Sequence, residues 1–356
     1  MKKEHILIIR FSALGDVAMA VPVVYSLAHQ YPDVRITVLS REYARPFFED
    51  LAPNVGFMEA DLKREYHGIK GLNALFRRLA AKQFTAVADL HNVLRSEFLR
   101  MRFNLGPYKV AHINKHRKGR RLLTSVNNKQ LIQQPTSFQK YADVLEELGY
   151  PIELDFHSIF PEGGGDLSLL PQDTQLSHLD AQLNIGIAPF AAHEGKIYPL
   201  RLTEAVMRGL SDRHEDLRLF LFGGGDKEMA VFREWAAKYP NCVIVGDHLK
   251  GLQQELALMS RLDVMVSMDS ANMHLASLVG LPVVSVWGAT HPYAGFMGYN
   301  QKPENAVQLD LPCRPCSIFG NKPCQRGDWA CLNNISPDLI IKKVETIILT
   351  KKTKTL

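Results

Sequence analysis

Short runs of apolar, mostly β-branched residues alternate with segments of helical periodicity along this chain of 356 residues. The runs that predict strands are 6–9, 36–39 and 86–90 in the first half, and 185–188, 217–222, 243–245, 264–267 and 283–286 in the second. Between them, segments such as 72–81 and 252–261 repeat apolar residues at helical spacing. Strands that are apolar on both faces and alternate with helices are typical of parallel sheets covered by helices on both sides. The sequence therefore predicts an α/β fold with doubly wound sheets.

The length indicates two domains, because a single core seldom grows to this size. The interval 161–180 is the best candidate linker, since it contains Pro161, the glycines of 163–165 and Pro171. We predict an N-terminal domain over 1–165 and a C-terminal domain over 166–336, followed by a helix over 337–356.

Composition is that of an ordinary globular protein, with 46% hydrophobic and 22% charged residues. No stretch approaches the roughly 20 apolar residues that span a bilayer. The short apolar run after the first lysines is followed at once by Gly15-Asp16, which favours a buried first strand over a signal peptide. These observations predict a cytoplasmic protein, with contact to the inner membrane surface as a further expectation.

Charge is uneven along the chain. Residues 1–160 carry 23 Lys and Arg against 16 Asp and Glu, whereas the remainder carries 19 against 21. The densest basic run contains Lys115, Arg117, Lys118, Arg120 and Arg121. It is either a solvated loop or a surface for an anionic partner. No aromatic residues interleave with it and no nucleic-acid-binding motif is present, so we do not expect a nucleic acid as partner.

Four of the five cysteines fall in one loop, 312–332, which is rich in proline and glycine and cannot bury much apolar surface. They are Cys313, Cys316, Cys324 and Cys331. A structural zinc bound by four thiolates would hold such a loop together. Disulfides or redox-variable thiols, and free thiols, stay open as alternatives. None of these implies a catalytic role.

The motif Arg-Phe-Ser-Ala-Leu-Gly-Asp-Val occupies 10–17, directly after the first predicted strand. Asp16 either caps the helix that follows or acts as a general base. Arg10 and Ser12 lie on the same rim and are candidates for orienting an acceptor.

Three loops of the second half follow predicted strands. In 267–288 a polar loop, Asp269-Ser270-Ala271-Asn272, opens a short helix that carries His274. Free backbone N–H groups at such a helix N-terminus form a ready anion site, most often for phosphate. The loop 189–199 carries Lys196, and the glycine-rich turn 223–228 ends at Glu228.

Taken in their order along the chain, the four motifs resemble those of the heptosyltransferases of glycosyltransferase family 9. The resemblance covers nearly the whole chain and implies the glycosyltransferase-B fold, with two Rossmann-like domains facing a central cleft. It also implies that the last helix packs back on the N-terminal domain. The implied activity is metal-independent, inverting transfer of heptose from ADP-heptose to an anionic lipopolysaccharide inner-core acceptor. The sequence contains no Asp-x-Asp motif, and no cofactor is expected for catalysis.

The resemblance assigns roles residue by residue. Asp16 matches the proposed base, and Lys196 matches the lysine that neutralises the donor diphosphate. The donor side is further assigned to Glu228, Asp269, Ser270, Ala271 and His274, and the acceptor side to Arg10, Ser12, Arg117, Arg120 and Arg121. Plainer interpretations stay open at this point: Lys196 as a solvated lysine, Glu228 as a first-turn helix acid, and His274 as a core-facing orienter.

Three residues depart from the family pattern: Phe190, Tyr198 and Ala271. They keep open a related enzyme that uses another nucleotide sugar on a different envelope glycan. An inactive relative that binds nucleotide or glycan is the alternative outside the enzyme class.

Overall fold

The computed structural model describes residues 4–161, 164–171 and 183–354. The strands are β1 (His5–Ile9), β2 (Arg35–Ser40), β3 (Val55–Glu59), β4 (Ala86–Asp89), β5 (Lys109–His112), β6 (Leu183–Ala188), β7 (Leu217–Leu221), β8 (Cys242–Ile244), β9 (Val264–Met268), β10 (Val283–Val286) and β11 (Ala306–Val307). Each apolar run that predicted a strand forms one, within two residues at either end.

The helices alternate with these strands. They are α1 (Leu14–Ala18), α2 (Val21–Gln30), α3 (Arg45–Phe48), α4 (Gly68–Ala80), α5 (Leu94–Asn104), α6 (Arg117–Leu123), α7 (Ser137–Glu147), α8 (Leu200–Ser211), α9 (Asp226–Lys238), α10 (Val245–His248), α11 (Leu252–Met259), α12 (Ala271–Leu278), α13 (Ala330–Asn333) and α14 (Pro337–Lys354).

The strands form two parallel sheets. The first has the order β3-β2-β1-β4-β5, and the second has the order β11-β10-β9-β6-β7-β8. In the first sheet Ile6 of β1 lies beside Ile36 of β2 and Ala86 of β4. Every residue of β1 and of β9 is buried, as expected for central strands with helices on both faces. The predicted α/β class is confirmed.

The chain divides into two compact units, each with its own sheet. The first comprises 1–115 and 135–159, and the second comprises 116–134 and 160–356. The division near residue 160 lies close to the predicted one, but segment 116–134 belongs to the second unit, although it lies within the N-terminal half of the sequence. Most of the predicted linker, residues 162–163 and 172–180, falls outside the described residues.

Helix α14 also belongs to the second unit. The resemblance implied instead that this helix packs on the N-terminal domain. Its apolar side chains Ile340, Ile341, Val344, Ile347 and Ile348 join the core of that unit, in which Val264 and Val266 of β9 are also buried. They recur at helical spacing and form one face, so the helix buries that face against α8, β9 and β10. Within the described part of the chain, no helix is both long enough and apolar enough to cross a membrane.

Candidate active site

Asp16 lies in the first turn of α1, just beyond the carboxyl end of β1. Its Oδ2 accepts the Ala13 backbone N–H at 3.3 Å and lies 2.7 Å from Nη2 of Arg10. The N-cap residue is Ala13 and Asp16 occupies the third helical position, so the alternative in which Asp16 is the N-cap does not hold. A third of the Asp16 side chain is exposed, whereas Arg10 is buried. The result is a carboxylate held at the sheet edge and open to solvent on one side.

Arg10 holds the Asp16 carboxylate in place. Its Nη1 donates to the backbone oxygen of Leu90 at 2.6 Å, and the guanidinium lies 5.8 Å from the centre of the Tyr141 ring. The Tyr141 hydroxyl in turn donates to the Asp16 backbone oxygen. Arg10 is therefore a positioning residue for Asp16. Ser12, also predicted on the acceptor side, is half-buried in the same loop.

His91 is a further residue of this site that the sequence motifs did not predict. It follows β4 at the same sheet edge, and its ring lies 5.9 Å from that of Phe11. Burial, and then the charge of Arg10, lower the pKa of His91 to about 3. The imidazole is therefore neutral at physiological pH, and within the described chain its Nδ1 is buried without a hydrogen-bond partner. The available signal was its position directly after the apolar run 86–90.

The loop that carries His91 is organised by Asp89, which is completely buried. One oxygen of Asp89 accepts the backbone N–H groups of His91 and Asn92 at 2.9 and 2.8 Å. The other oxygen lies 3.4 Å from Nη1 of Arg100. A buried carboxylate satisfied in this way holds the loop in one shape. Asp89 therefore orients His91 beside Asp16 and Arg10.

In the second unit, the predicted lysine and aspartate meet. Lys196 ends a short 3₁₀ turn after β6, and its Nζ lies 2.9 Å from Oδ2 of Asp269, which directly follows β9. Only 14% of the Lys196 side chain and 3% of the Asp269 side chain are exposed. Lys196 is thus not a solvated surface lysine. The pair occupies the carboxyl edge of the sheet, where parallel α/β folds bind ligands.

Ser270 and Ala271 begin α12 beside this pair. Ser270 is the N-cap in an extended conformation, and its hydroxyl lies 3.3 Å from that of Ser267 without capping the helix. The first-turn N–H groups of α12 therefore remain available to an anion. Ala271 adopts helical backbone, so replacing the usual glycine costs no strain here. His274, one turn on, is buried.

Glu228 lies in the first turn of α9, after β7. Its Oε2 accepts the Gly224 N–H at 2.9 Å, and a Cβ at Gly223 would lie 2.6 Å from the same oxygen. Glu228 is therefore a first-turn acid that holds the glycine turn closed. This placement is compatible with the predicted contact to the donor nucleoside, since β7 ends at the same sheet edge as β6 and β9.

The other two departures from the family pattern face the core. Tyr198 is buried and its hydroxyl donates to the Ile335 backbone oxygen at 2.7 Å. Phe190 packs against Phe232, with ring centres 5.5 Å apart. Both aromatic residues therefore act through packing of the second unit.

The cysteine-rich loop packs directly on the Lys196 loop. A Cβ on Gly320 would lie 2.6 Å from Cγ of Lys196, and a Cβ on Gly195 would lie 2.8 Å from the Gly320 oxygen. The Trp329 ring is also close to Gly195, since its Cζ3 lies 3.1 Å from the same Cβ position. The loop therefore forms a wall that sets the path of the Lys196 side chain, a relation that no local pattern in the sequence indicated.

Arg314 fastens this wall to the sheet. The side chain is buried, and it donates to the backbone oxygens of Gly288 and Thr290 at 2.5 and 2.8 Å. The backbone N–H groups of Cys316 and Ser317 both donate to the Ala289 oxygen. Burial lowers the pKa of Arg314, and the bonds to carbonyl oxygens satisfy its donors.

The four clustered cysteines line one cavity together with Arg314, Arg326 and Trp329. All four carry free thiols. Burial raises the pKa of Cys316, and it raises the pKa of Cys331 to about 11. In the described part of the chain, no set of three or more Cys, His, Asp or Glu side chains is arranged to hold a metal ion. The thiols as placed do not form a zinc site, and the zinc stays a prediction from spacing.

Gly320→Ala should lower transfer activity about 10- to 100-fold, because displacing Lys196 by a fraction of an ångström misplaces its charge. Gly327→Ala is the matched control: it lies in the same loop with φ +76°, against +73° for Gly320, but nothing lies within 4 Å of its Cβ position. Steady-state kinetics on both variants, with melting temperatures, check this. Equal activity losses in the two variants would show that backbone strain alone is responsible.

Apart from Lys115, which belongs to the first unit, the basic run lies on α6 in the second unit. Arg120 stacks over Phe296 and Phe319, with its guanidinium 5.0 and 5.9 Å from the ring centres. Arg117 and Arg121 are exposed. The run is therefore not uniform: Arg120 has a packing role, whereas Arg117, Lys118 and Arg121 carry accessible charge.

The order of strands in the two sheets places this chain among α/β proteins of the glycosyltransferase-B fold. The chain superimposes on a glycosyltransferase family 9 structure from Veillonella parvula with TM-score 0.72, at 19% identity and with 98% of each chain covered. It superimposes on the E. coli ADP-heptose lipopolysaccharide heptosyltransferase II with TM-score 0.68, at 17% identity, covering 98% of this chain and 99% of that one.

The sequence comparisons agree. The lipopolysaccharide core heptosyltransferase OpsX of Haemophilus influenzae is 24% identical over 299 residues, which cover 81% of this chain and 80% of that protein. The model of glycosyltransferase family 9 (heptosyltransferase) matches residues 72–323, well over half of the chain. The chain belongs to this family.

Proposed function

We propose that this protein transfers heptose, with inversion, from ADP-heptose to a lipopolysaccharide inner-core acceptor. The observation that carries the proposal is the Lys196–Asp269 pair beside the open N-terminus of α12. A cation and a helix N-terminus at one sheet edge fit the diphosphate of a nucleotide sugar. The family, and the names of the relatives, support heptose as the sugar and ADP as the carrier.

The proposed residues account for the proton, the bonds and the charge that change during transfer. Asp16 takes the proton of the acceptor hydroxyl as its oxygen bonds to the anomeric carbon of the donor sugar. The bond between that carbon and the diphosphate oxygen breaks, and ADP leaves with the electron pair. Lys196 and the α12 N–H groups stabilise the negative charge that develops on the leaving group. In this proposal Asp269 orients Lys196 and contacts the transferred sugar, and Glu228 contacts the nucleoside.

Release of ADP in the presence of a candidate acceptor tests this proposal directly. Release of UDP instead would indicate another nucleotide sugar. No release with any acceptor, despite nucleotide binding, would indicate an inactive relative. Phe190 and Tyr198 pack in the core, so these departures give no reason to expect a different donor.

Activity should survive EDTA, because Lys196 and α12 supply the positive charge that a divalent metal would otherwise bring. The measurement is the initial rate before and after exhaustive dialysis, with the metal content of the same samples. Loss of activity that added metal restores, at an unchanged melting temperature, would contradict metal-independent transfer. Loss of activity together with loss of zinc and of melting temperature would instead support the predicted structural zinc.

The acceptor is proposed to be anionic, and Arg117 and Arg121 are proposed to attract it. Replacing both with serine should raise the acceptor KM and leave the donor KM nearly unchanged. The effect should shrink as salt rises, since exposed charges are screened within about 8–10 Å at physiological ionic strength. Arg120 is left intact because its ring contacts would confound the result.

The control for this experiment removes two exposed cations elsewhere in the second unit, Arg233 and Lys342. If both double variants raise the acceptor KM equally, only net charge matters. If the Arg117 and Arg121 variant keeps the wild-type acceptor KM at low salt, the basic run is a solvated loop. We place the protein, within the same proposal, in the cytoplasm with peripheral contact to the inner membrane.

A further inference from the structure

Helix α5 shows an apolar stripe on its outer face. Leu94, Met101 and Leu105, which directly follows the helix, are 86%, 60% and 84% exposed. With half-buried Phe98 between them, they recur at i, i+4, i+7 and i+11 and so lie on one side. Leu99 on the inner face is buried in the core, which means that the helix is already fully anchored. The stripe is therefore additional to what the fold needs.

Two exposed arginines lie along one edge of the stripe. Arg95 and Arg102 are exposed, and Arg102 lies over the ring of Phe76 at 4.9 Å. The acidic residue of the helix, Glu97, lies on the other edge, 3.5 Å from Arg100. The face thus offers an apolar stripe bordered by two exposed arginines, on a helix with three arginines and one glutamate. That combination is typical of helices that lie in the headgroup region of an anionic bilayer.

We propose that this face of α5 docks the protein on an anionic phospholipid surface. The proposal rests on the proposed function, because it supposes an acceptor anchored in a membrane. A second copy of the chain fits the face less well. Antiparallel two-fold pairing through the stripe would bring the arginine edge of each copy against that of the other.

The position of the stripe connects docking with the chemistry. Helix α5 begins five residues after Asp89, the last residue of β4, and β4 pairs with β1 in parallel. Leu94 therefore stands near the sheet edge that carries Asp16, and the stripe runs about 16 Å away from it at 1.5 Å per residue. Docking through this face brings that edge to the headgroup level of the membrane, where a glycolipid presents its sugars.

The test is co-sedimentation with phosphatidylcholine vesicles, with and without phosphatidylglycerol. Replacing Leu94, Met101 and Leu105 with serine should lower vesicle binding at least about tenfold. The reason is that the variant loses the free energy gained when three apolar side chains move from water into the bilayer. Leu339→Ser with Leu349→Ser is the matched control: both leucines are exposed on α14 of the second unit, at 44% and 62%. It should bind as the wild type does. Melting temperatures verify that both variants fold.

A second variant tests the charges. Arg95→Gln with Arg102→Gln should abolish the preference for phosphatidylglycerol and the salt dependence of binding. Unchanged vesicle binding in the serine variant would overturn the proposal. So would a wild-type dimer in analytical ultracentrifugation that the serine variant dissociates, since the face would then pair two copies.

Transfer to a lipid-free core oligosaccharide separates this inference from the proposed function. The serine variant should transfer at the wild-type rate to that acceptor, and more slowly only to acceptor embedded in vesicles. A wild-type protein that binds vesicles through α5 but transfers heptose to neither acceptor would refute the proposed function and leave the docking face standing.

Discussion

Asp16→Asn should lower turnover by about 10²–10⁴, the usual contribution of a positioned general base. The asparagine keeps an oxygen that can accept the Ala13 N–H, so the first turn of α1 should persist. Donor affinity should be unchanged, because the donor residues belong to the second unit. The measurement is kcat with saturating donor and acceptor, together with donor affinity by calorimetry.

Arg10 loses its ionic partner in this variant, so some loss of stability is expected. Asp338→Asn gives the comparison, because Asp338 is also an acid in the first turn of a helix, α14. The base assignment requires that Asp16→Asn lose far more activity than its melting temperature accounts for. Wild-type turnover in Asp16→Asn would remove this residue from the mechanism.

Lys196→Met should slow transfer by about 10²–10³ and weaken donor binding, because the departing diphosphate loses its counter-charge. Methionine keeps the length of the stem that packs on Gly320, so the effect isolates the charge. Steady-state kinetics and ADP affinity measure it. Near-normal kcat and donor KM in Lys196→Met would show that the N–H groups of α12 alone stabilise the negative charge on the leaving group.

Stability separates this catalytic role from a structural one. Lys196→Met leaves Asp269 buried without its cation, which should cost about 3–5 kcal/mol. Adding Asp269→Asn should restore most of the melting temperature, because the buried charge is gone. Transfer should remain slow in the double variant. Recovery of activity along with the melting temperature would make the pair structural only.

The local pattern of the sequence determined a large part of this protein. Apolar runs predicted eight of the eleven strands that the structure describes, because burial of a strand on both faces leaves a direct trace in residue type. The three that were not predicted, β3, β5 and β11, are edge strands and are only partly buried. The loops after those runs predicted which polar residues would gather at the sheet edges. Lys196 and Asp269 meet as a pair because parallel strands end on the same side, a rule that needs no knowledge of side-chain contacts.

Tertiary structure decided what depends on partners distant in sequence. Residues 116–134 and α14 joined the second unit because their apolar and aromatic contacts lie there, which their own periodicity does not specify. In the sequence Arg120 is one cation among several, and only the structure shows that it stacks over Phe296 and Phe319. The wall of Gly320 behind Lys196, and the neutral His91 beside Arg10, arise only when separate loops are packed against each other. Periodicity records whether a residue is buried, whereas close packing determines which neighbour it is buried against.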